Sequence, residues 1–517
     1  MEFKLNRETV PAAELVYSGV QEQGVELDYI LPDHYPDIFR LVRCEIRPAV
    51  TGYTLSGDKL SYELKCDVSL LYSGEEGSEL QCVMQSQTFS KTVDIGRNAE
   101  SPEITLVAKS GHVNYRAVNQ RRLDVRGAVS VKISVSGEKQ QEVVSDASGM
   151  NIQLRRVPVK FAAGRLTGEK TVQLSEETEL SASQPAVKSV ISVRCNVSEC
   201  EKKLISGKLL AKGDIRAEVL YSCEKGGSGA LEAMSFTVPF SQILDIEGID
   251  ESYECIVSAE VLSCDISPAA DKNGEYRILR CEPELRISCR AVKTTDAVIV
   301  ADAYSTVYPC EVEYSAIRAE QLPAVYAESF RHTAKLAEGE NVPAEIYSVW
   351  GSPKNINIRA GEDGKSVVIT GMLTYSMAAK DSSGAMIMPD RDEAFEETIA
   401  IGDDITNAAL SAEIAEPTVS YNLSPEGTLT AKADIPVRIS AESASAVRAV
   451  TDITVDDTVR KQRDGDYAIK LYFGVENEDV WDIAKRYSTD ASAIMEENDL
   501  ASDKLENGGM LMIPIKE

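Results

Sequence analysis

The chain has 517 residues, 83 acidic and 54 basic, for a formal net charge of −29 at pH 7. That charge argues against nucleic acid or an anionic membrane as partner, because phosphate contacts need clustered Lys and Arg, and it favours a basic or neutral protein surface. At about 100–200 residues per domain the length predicts several folded units, and 43% hydrophobic with 26% charged residues suits a folded chain.

Met1 to Val20 lacks the basic start and apolar run of a signal peptide, and no apolar run approaches the roughly 20 residues of a spanning helix. The expectation is a chain that stays in the cytoplasm. Leu5 to Leu31 predicts a short hairpin, and its end, Val25 to Ile30, leads into P-D-H-Y-P-D-I, where two prolines stop regular structure. In Leu60 to Tyr72 the residues Leu60, Tyr62, Leu64, Cys66, Val68, Leu70 and Tyr72 fall on every second position, the mark of a half-buried strand. The pattern returns at Leu209–Tyr221 and, more weakly, at Val367–Met377.

Each of these strands is followed by an F-x-x-[TI]-[VLI]-x-I element: Phe89–Ile95, Phe240–Ile246 and Phe395–Ile401. Each copy then closes on a long alternating strand, which starts at Leu123, Leu279 and Leu429. Landmarks repeated in one order predict three copies of one β module, over 1–135, 150–292 and 297–441. Ser136–Met150 reads as a connection, Ala297–Tyr308 with Cys310–Tyr314 as a strand pair joining modules, and 442–466 as a linker. Gly226 to Gly229 reads as a hairpin loop, since neither a G-K-[ST] ending nor a helix follows it.

In 467–517 the period changes to that of helices. Ile469–Phe473 is strand-like, and Val480, Trp481, Ile483, Ala484 and Tyr487 form a helical stripe. Asp490 can cap a second helix, and Gly508-Gly509 turn into a last strand, Leu511–Ile515. The order is strand, helix, helix, strand.

At V-W-D-I-A-K-R-Y (Val480–Tyr487), Asn498-x-Leu500 and G-G-M-L-M-I-P (Gly508–Pro514) this segment resembles a LysM domain. The β modules before it resemble SPOCS (spore coat scaffold) repeats, and the whole chain resembles the SpoIVA-interacting protein L family of clostridial spore morphogenetic proteins. The fold class expected is mainly β: three antiparallel, sandwich-like modules followed by a small α+β LysM domain. The resemblance implies a non-enzymatic scaffold in the mother cell. Such a protein binds the coat-basement ATPase SpoIVA, with other coat proteins as further partners, and helps to encase the forespore.

Sugar-binding LysM domains usually carry G-D-T before the first helix, and here Asn477-Glu478-Asp479 stands there. The turn-making glycine and a hydroxyl for an acetamido sugar are lost, so a protein partner is favoured over peptidoglycan- or chitin-type glycans. The residues expected to meet that partner are Asn477, Glu478, Asp479, Trp481, Asn498 and Asp499, with core packing as the competing role for Trp481. Asp482, Glu496 and Glu497 add negative charge near the same end, a surface suited to a basic patch.

No catalytic, cofactor or metal site is expected. His34, His112 and His332 have neither a zinc-binding nor a triad spacing. The eleven cysteines contain no C-x-x-C, and the closest pair, Cys195 and Cys200, has no second pair beside it. Cys66, Cys281 and Cys289 sit on apolar sides of strands, so the cysteines read as reduced core residues.

Overall fold

The structure, a computed structural model, describes residues 3–515 apart from 75–79, 206, 226–227, 319–321, 444–445 and 463–467. Period-two alternation leaves each strand apolar on one face, and two such sheet faces are dried by packing on each other. In the first module β1 (Lys4–Ile30), β2 (Arg40–Ser56), β3 (Lys59–Ser73), β4 (Leu80–Asp94), β5 (Glu100–Asn119) and β6 (Arg122–Ser148) form two antiparallel sheets, β2-β3-β4 and β1-β6-β5. Leu60, Leu64 and Val68 of β3 meet Val125, Val129 and Ile133 of β6 between them.

The second module has β7 (Ile152–Gln173), β8 (Glu176–Glu179), β9 (Ser189–Ile205), β10 (Lys208–Lys225), β11 (Ser228–Leu244), β12 (Glu254–Ala270) and β13 (Tyr276–Ser305). Its sheets are β9-β10-β11 and β12-β13-β7, with β8 also on β13. Gly226 and Gly227 of the expected hairpin loop lie outside the described residues, but β10 and β11 on either side are paired. The third module has β14 (Cys310–Arg318), β15 (Ala324–Glu338), β16 (Glu345–Ala360), β17 (Ser366–Lys380), β18 (Met386–Ile387), β19 (Asp390–Ala400), β20 (Ala408–Ile414), β21 (Thr418–Leu423), β22 (Thr428–Ser443) and β23 (Ala446–Val455). Here the sandwich sheets are β16-β17-β19 and β15-β22-β20, with β21 also on β22.

The repeated phenylalanines occupy matching places. Phe89 stands opposite Leu64, Phe240 opposite Gly213, and Phe395 opposite Gly371. Over glycine the ring can settle against the central strand, so Phe240 and Phe395 are buried; over Leu64 it cannot, and Phe89 is half-buried.

Several connections expected from the sequence prove to be strands. β1 is one strand of 27 residues, not a short hairpin. Its first half pairs with the second half of β6, so the supposed connection Ser136–Met150 is strand as far as Ser148. The first half of β7 pairs likewise with Thr294–Ser305, which joins Ala297–Ser305 to the second module and not to the third. Cys310–Tyr314 does not pair with that run; β14 pairs with β23, which forms inside the expected linker 442–466. A lone two-stranded ribbon is barely stable in water. Three ribbons, one per module, solve this by sharing a core of Val10, Val143, Val159, Phe161, Ile299, Ile317 and Ala449, continued by Val144, Val300 and Val450.

Each ribbon carries a bulge at the same point, between the valine and the aspartate of Val144-x-Asp146, Val300-x-Asp302 and Val450-x-Asp452. These aspartates link each ribbon to the next. Asp146 accepts a hydrogen bond from Arg156 at 2.6 Å, Asp302 from the Tyr314 hydroxyl at 2.6 Å, and Asp452 from Arg7 at 2.6 Å. Arg156, Tyr314 and Arg7 stand opposite the three valines, so the contacts are equivalent. Tyr314 is neutral where its counterparts are cationic, and the Asp302 charge needs another partner. Away from the ribbons the modules also meet through Leu71, Ile191, Leu220, Trp350 and Ala378.

Candidate partner-binding surface of the C-terminal domain

The last domain is β24 (Ile469–Gly474), α1 (Val480–Tyr487), α2 (Ala491–Glu497) and β25 (Gly509–Pro514), with β24 antiparallel to β25. Asp479 and Asp490 cap the helices by accepting the Trp481 and Ser492 amides, which would otherwise lack partners. The helical stripe packs Val480, Ile483, Ala484 and Ile494 against Leu511 and Ile513.

Tyr304, from the end of β13, completes this core. Its ring meets Trp481 edge-on, with centroids 4.9 Å apart, and its hydroxyl donates to the Thr489 carbonyl at 2.7 Å. Beside it the Asp302 carboxylate accepts from the Trp481 indole N–H at 2.8 Å and from the Lys485 ammonium at 2.8 Å. The cation that Tyr314 does not supply thus comes from the C-terminal domain. Burial pushes the Asp302 carboxyl up, but Lys485, Tyr314 and Trp481 outweigh it and hold the group below its ordinary value. Arg155 pairs with Asp479 at 2.6 Å, and Lys461 donates to the Ser305 carbonyl and the Ser488 hydroxyl.

Most residues expected to meet a partner therefore have bonds within the chain. Trp481 is 9% exposed and committed to Asp302. Asp479 caps α1 and holds Arg155, while Glu478 accepts from the Tyr472 hydroxyl at 2.7 Å and the Val475 amide at 3.1 Å. Asn498 bridges the Ile494 carbonyl and both backbone groups of Met512. Asn477 and Asp499 are exposed, each with positive φ, as are Asp482, Glu496 and Glu497. Reversing Glu478 and Asp479 would disturb the fold of this domain, because both carboxylates support it.

A surface that sequence reasoning missed lies on the outer face of the two-stranded sheet. Ile469, Leu471, Phe473, Met510 and Met512 are exposed there, with Leu471 opposite Met512 and Phe473 opposite Met510. The signal was available: Tyr472, Leu511 and Ile513 already supply the inward face, and two helices can cover only one face of a sheet. The outward alternation is therefore apolar on the side left to solvent.

The molecule is a chain of three β-sandwich modules carrying a LysM-type domain. Comparison with known families agrees: residues 475–514 match the LysM domain, and residues 186–268, within the second module, match the SipL, SPOCS domain. Both kinds of domain that the resemblance to SipL-type sporulation proteins implies are thus matched, and both matched families are non-catalytic. No curated protein and no solved structure matches the chain. Among the described residues no helix is long and apolar enough to cross a membrane.

Proposed function

We propose that this chain is a non-enzymatic scaffold of spore coat assembly, working in the mother cell at the forespore surface. Its LysM domain binds a SpoIVA-like coat-basement ATPase, and its three modules help to encase the forespore. The observation that carries this reading is the exposed apolar sheet face around Leu471, Phe473, Met510 and Met512, which suits a protein partner better than a polar glycan. Acidic Glu496, Glu497 and Asp499, exposed on the same domain, would orient a basic partner.

The test is binding of the full-length chain to the purified ATPase. Phe473→Ser with Met510→Ser alters only exposed side chains, so the fold should persist. Loss of two anchor contacts should weaken binding by about tenfold or more. Asp499→Lys should give a smaller, salt-dependent loss, because exposed charges are screened beyond about 8–10 Å. Saturable retention on peptidoglycan or chitin oligomers, with no binding to the ATPase, would refute the proposal. So would a fluorescently tagged chain that fails to surround the forespore.

A further inference from the structure

Cys195 on β9, Cys264 on β12 and Cys281 on β13 come from distant parts of the sequence and bring their sulfurs within 4.8 Å of one another. The Cys264 and Cys281 sulfurs are 3.7 Å apart. A disulfide needs about 2.05 Å, whereas two thiolates on one tetrahedral zinc, each about 2.3 Å from the metal, lie about 3.8 Å apart. The cluster sits where the edge strands β9 and β12 of the two sheets meet, and only Cys281 is fully buried, so water can approach the other two.

The first module shows how this seam is closed without thiols. Strand register makes Ile46, Val113 and Val125 the counterparts of Cys195, Cys264 and Cys281: Ile46 stands opposite Val68 as Cys195 stands opposite Ala217, and Val113 opposite Gly127 as Cys264 opposite Pro283. Aliphatic packing thus suffices at this place in the fold, and the second module replaces it with three smaller, soft donors that converge on one point.

We propose that Cys195, Cys264 and Cys281 form a zinc site that joins the two sheets of the second module, with three thiolates and one water as ligands. Each thiol gives up its proton to the solvent as its sulfur binds, and no oxidant or reductant is involved. Three thiolates and Zn²⁺ leave one net negative charge. Arg47 of the first module, which also pairs with Glu45, reaches this side of β9, its guanidinium donating to the Val193 carbonyl two residues from Cys195. The site would make the matched SPOCS module metal-dependent and would hold it firm where it meets the first module.

The test uses the full-length chain, purified with reductant and titrated with Zn²⁺ against a chromophoric chelator, and with Co²⁺ as a spectroscopic probe. The expected result is one ion per chain, thiolate-to-cobalt charge-transfer absorption, and thermal unfolding that moves upward with Zn²⁺ concentration. The triple change Cys195→Ile, Cys264→Val and Cys281→Val copies the seam of the first module; it should fold and lose the ion. Failure of the reduced wild-type chain to take up Zn²⁺ or Co²⁺ overturns the proposal. Equal uptake by the triple variant does so as well, as does a Cys264–Cys281 disulfide in cytosolic material that excludes the metal.

Discussion

Asp302→Ala tests how the C-terminal domain is held. The Asp302 side chain is 13% exposed and accepts from Trp481, Lys485 and Tyr314, so the change removes one acceptor from three donors on two other parts of the chain. Hydrogen bonds to a charged group contribute about 1.5–3 kcal/mol each. Lys485 keeps 38% of its side chain exposed and is rehydrated on release, so its share is discounted. Tyr304 and Arg155 still hold the domain. The expected cost to docking is about 3 kcal/mol, or about a hundredfold in the ratio of docked to free domain.

Hydrogen exchange read by mass spectrometry should then show faster exchange in Val480–Tyr487 and around Tyr304, with the sandwich strands unchanged. Asp302→Asn, which keeps an acceptor for Trp481 but loses the charge facing Lys485, should fall between. Asp146→Ala removes the equivalent aspartate of the first ribbon, which touches Arg156 and not the C-terminal domain, and should leave α1 protected. Acid should mimic the alanine change. The folded carboxyl lies below its ordinary value of 3.8, so its contribution is present above that pH and drains away as pH falls through the folded value. Unchanged exchange of α1 in Asp302→Ala, or equal loosening by Asp146→Ala, would refute the docking argument.

Two further outcomes follow from the packing. Phe240→Ala should cost about 3–5 kcal/mol, because the ring fills space over Gly213, and Phe89→Ala distinctly less, because Phe89 is half-buried opposite Leu64; equal costs in denaturant unfolding would show that the glycine does not set the ring's depth. Trp350→Ala should loosen the junction of the three modules, since its ring is buried among them with the Arg194 guanidinium 4.3 Å and the Arg43 guanidinium 5.5 Å from its centre. An unchanged small-angle scattering profile, with no loss of stability, would count against that role.

The sequence alone determined the repeat and the class of each part. Strand alternation, the phenylalanine elements and the closing strands are local patterns, and local patterns select sheets whose apolar faces pack. The change to helical spacing at Val480, with a cap at Asp490, marked the LysM domain for the same reason. Tertiary structure decided where each segment finds its partner. Ser136–Ser148, Ala297–Ser305 and Ala446–Val455 look like connections because their pairing is distant or runs past the module core, and only three ribbons together can bury them. It also decided the fate of the candidate site residues. Nothing near Asp479 or Trp481 in sequence announces Arg155 or Asp302, so residues that read as a free binding loop are spent on docking. The convergence of Cys195, Cys264 and Cys281 was hidden in the same way, since long-range register, unlike periodicity, leaves no mark within a short stretch of chain.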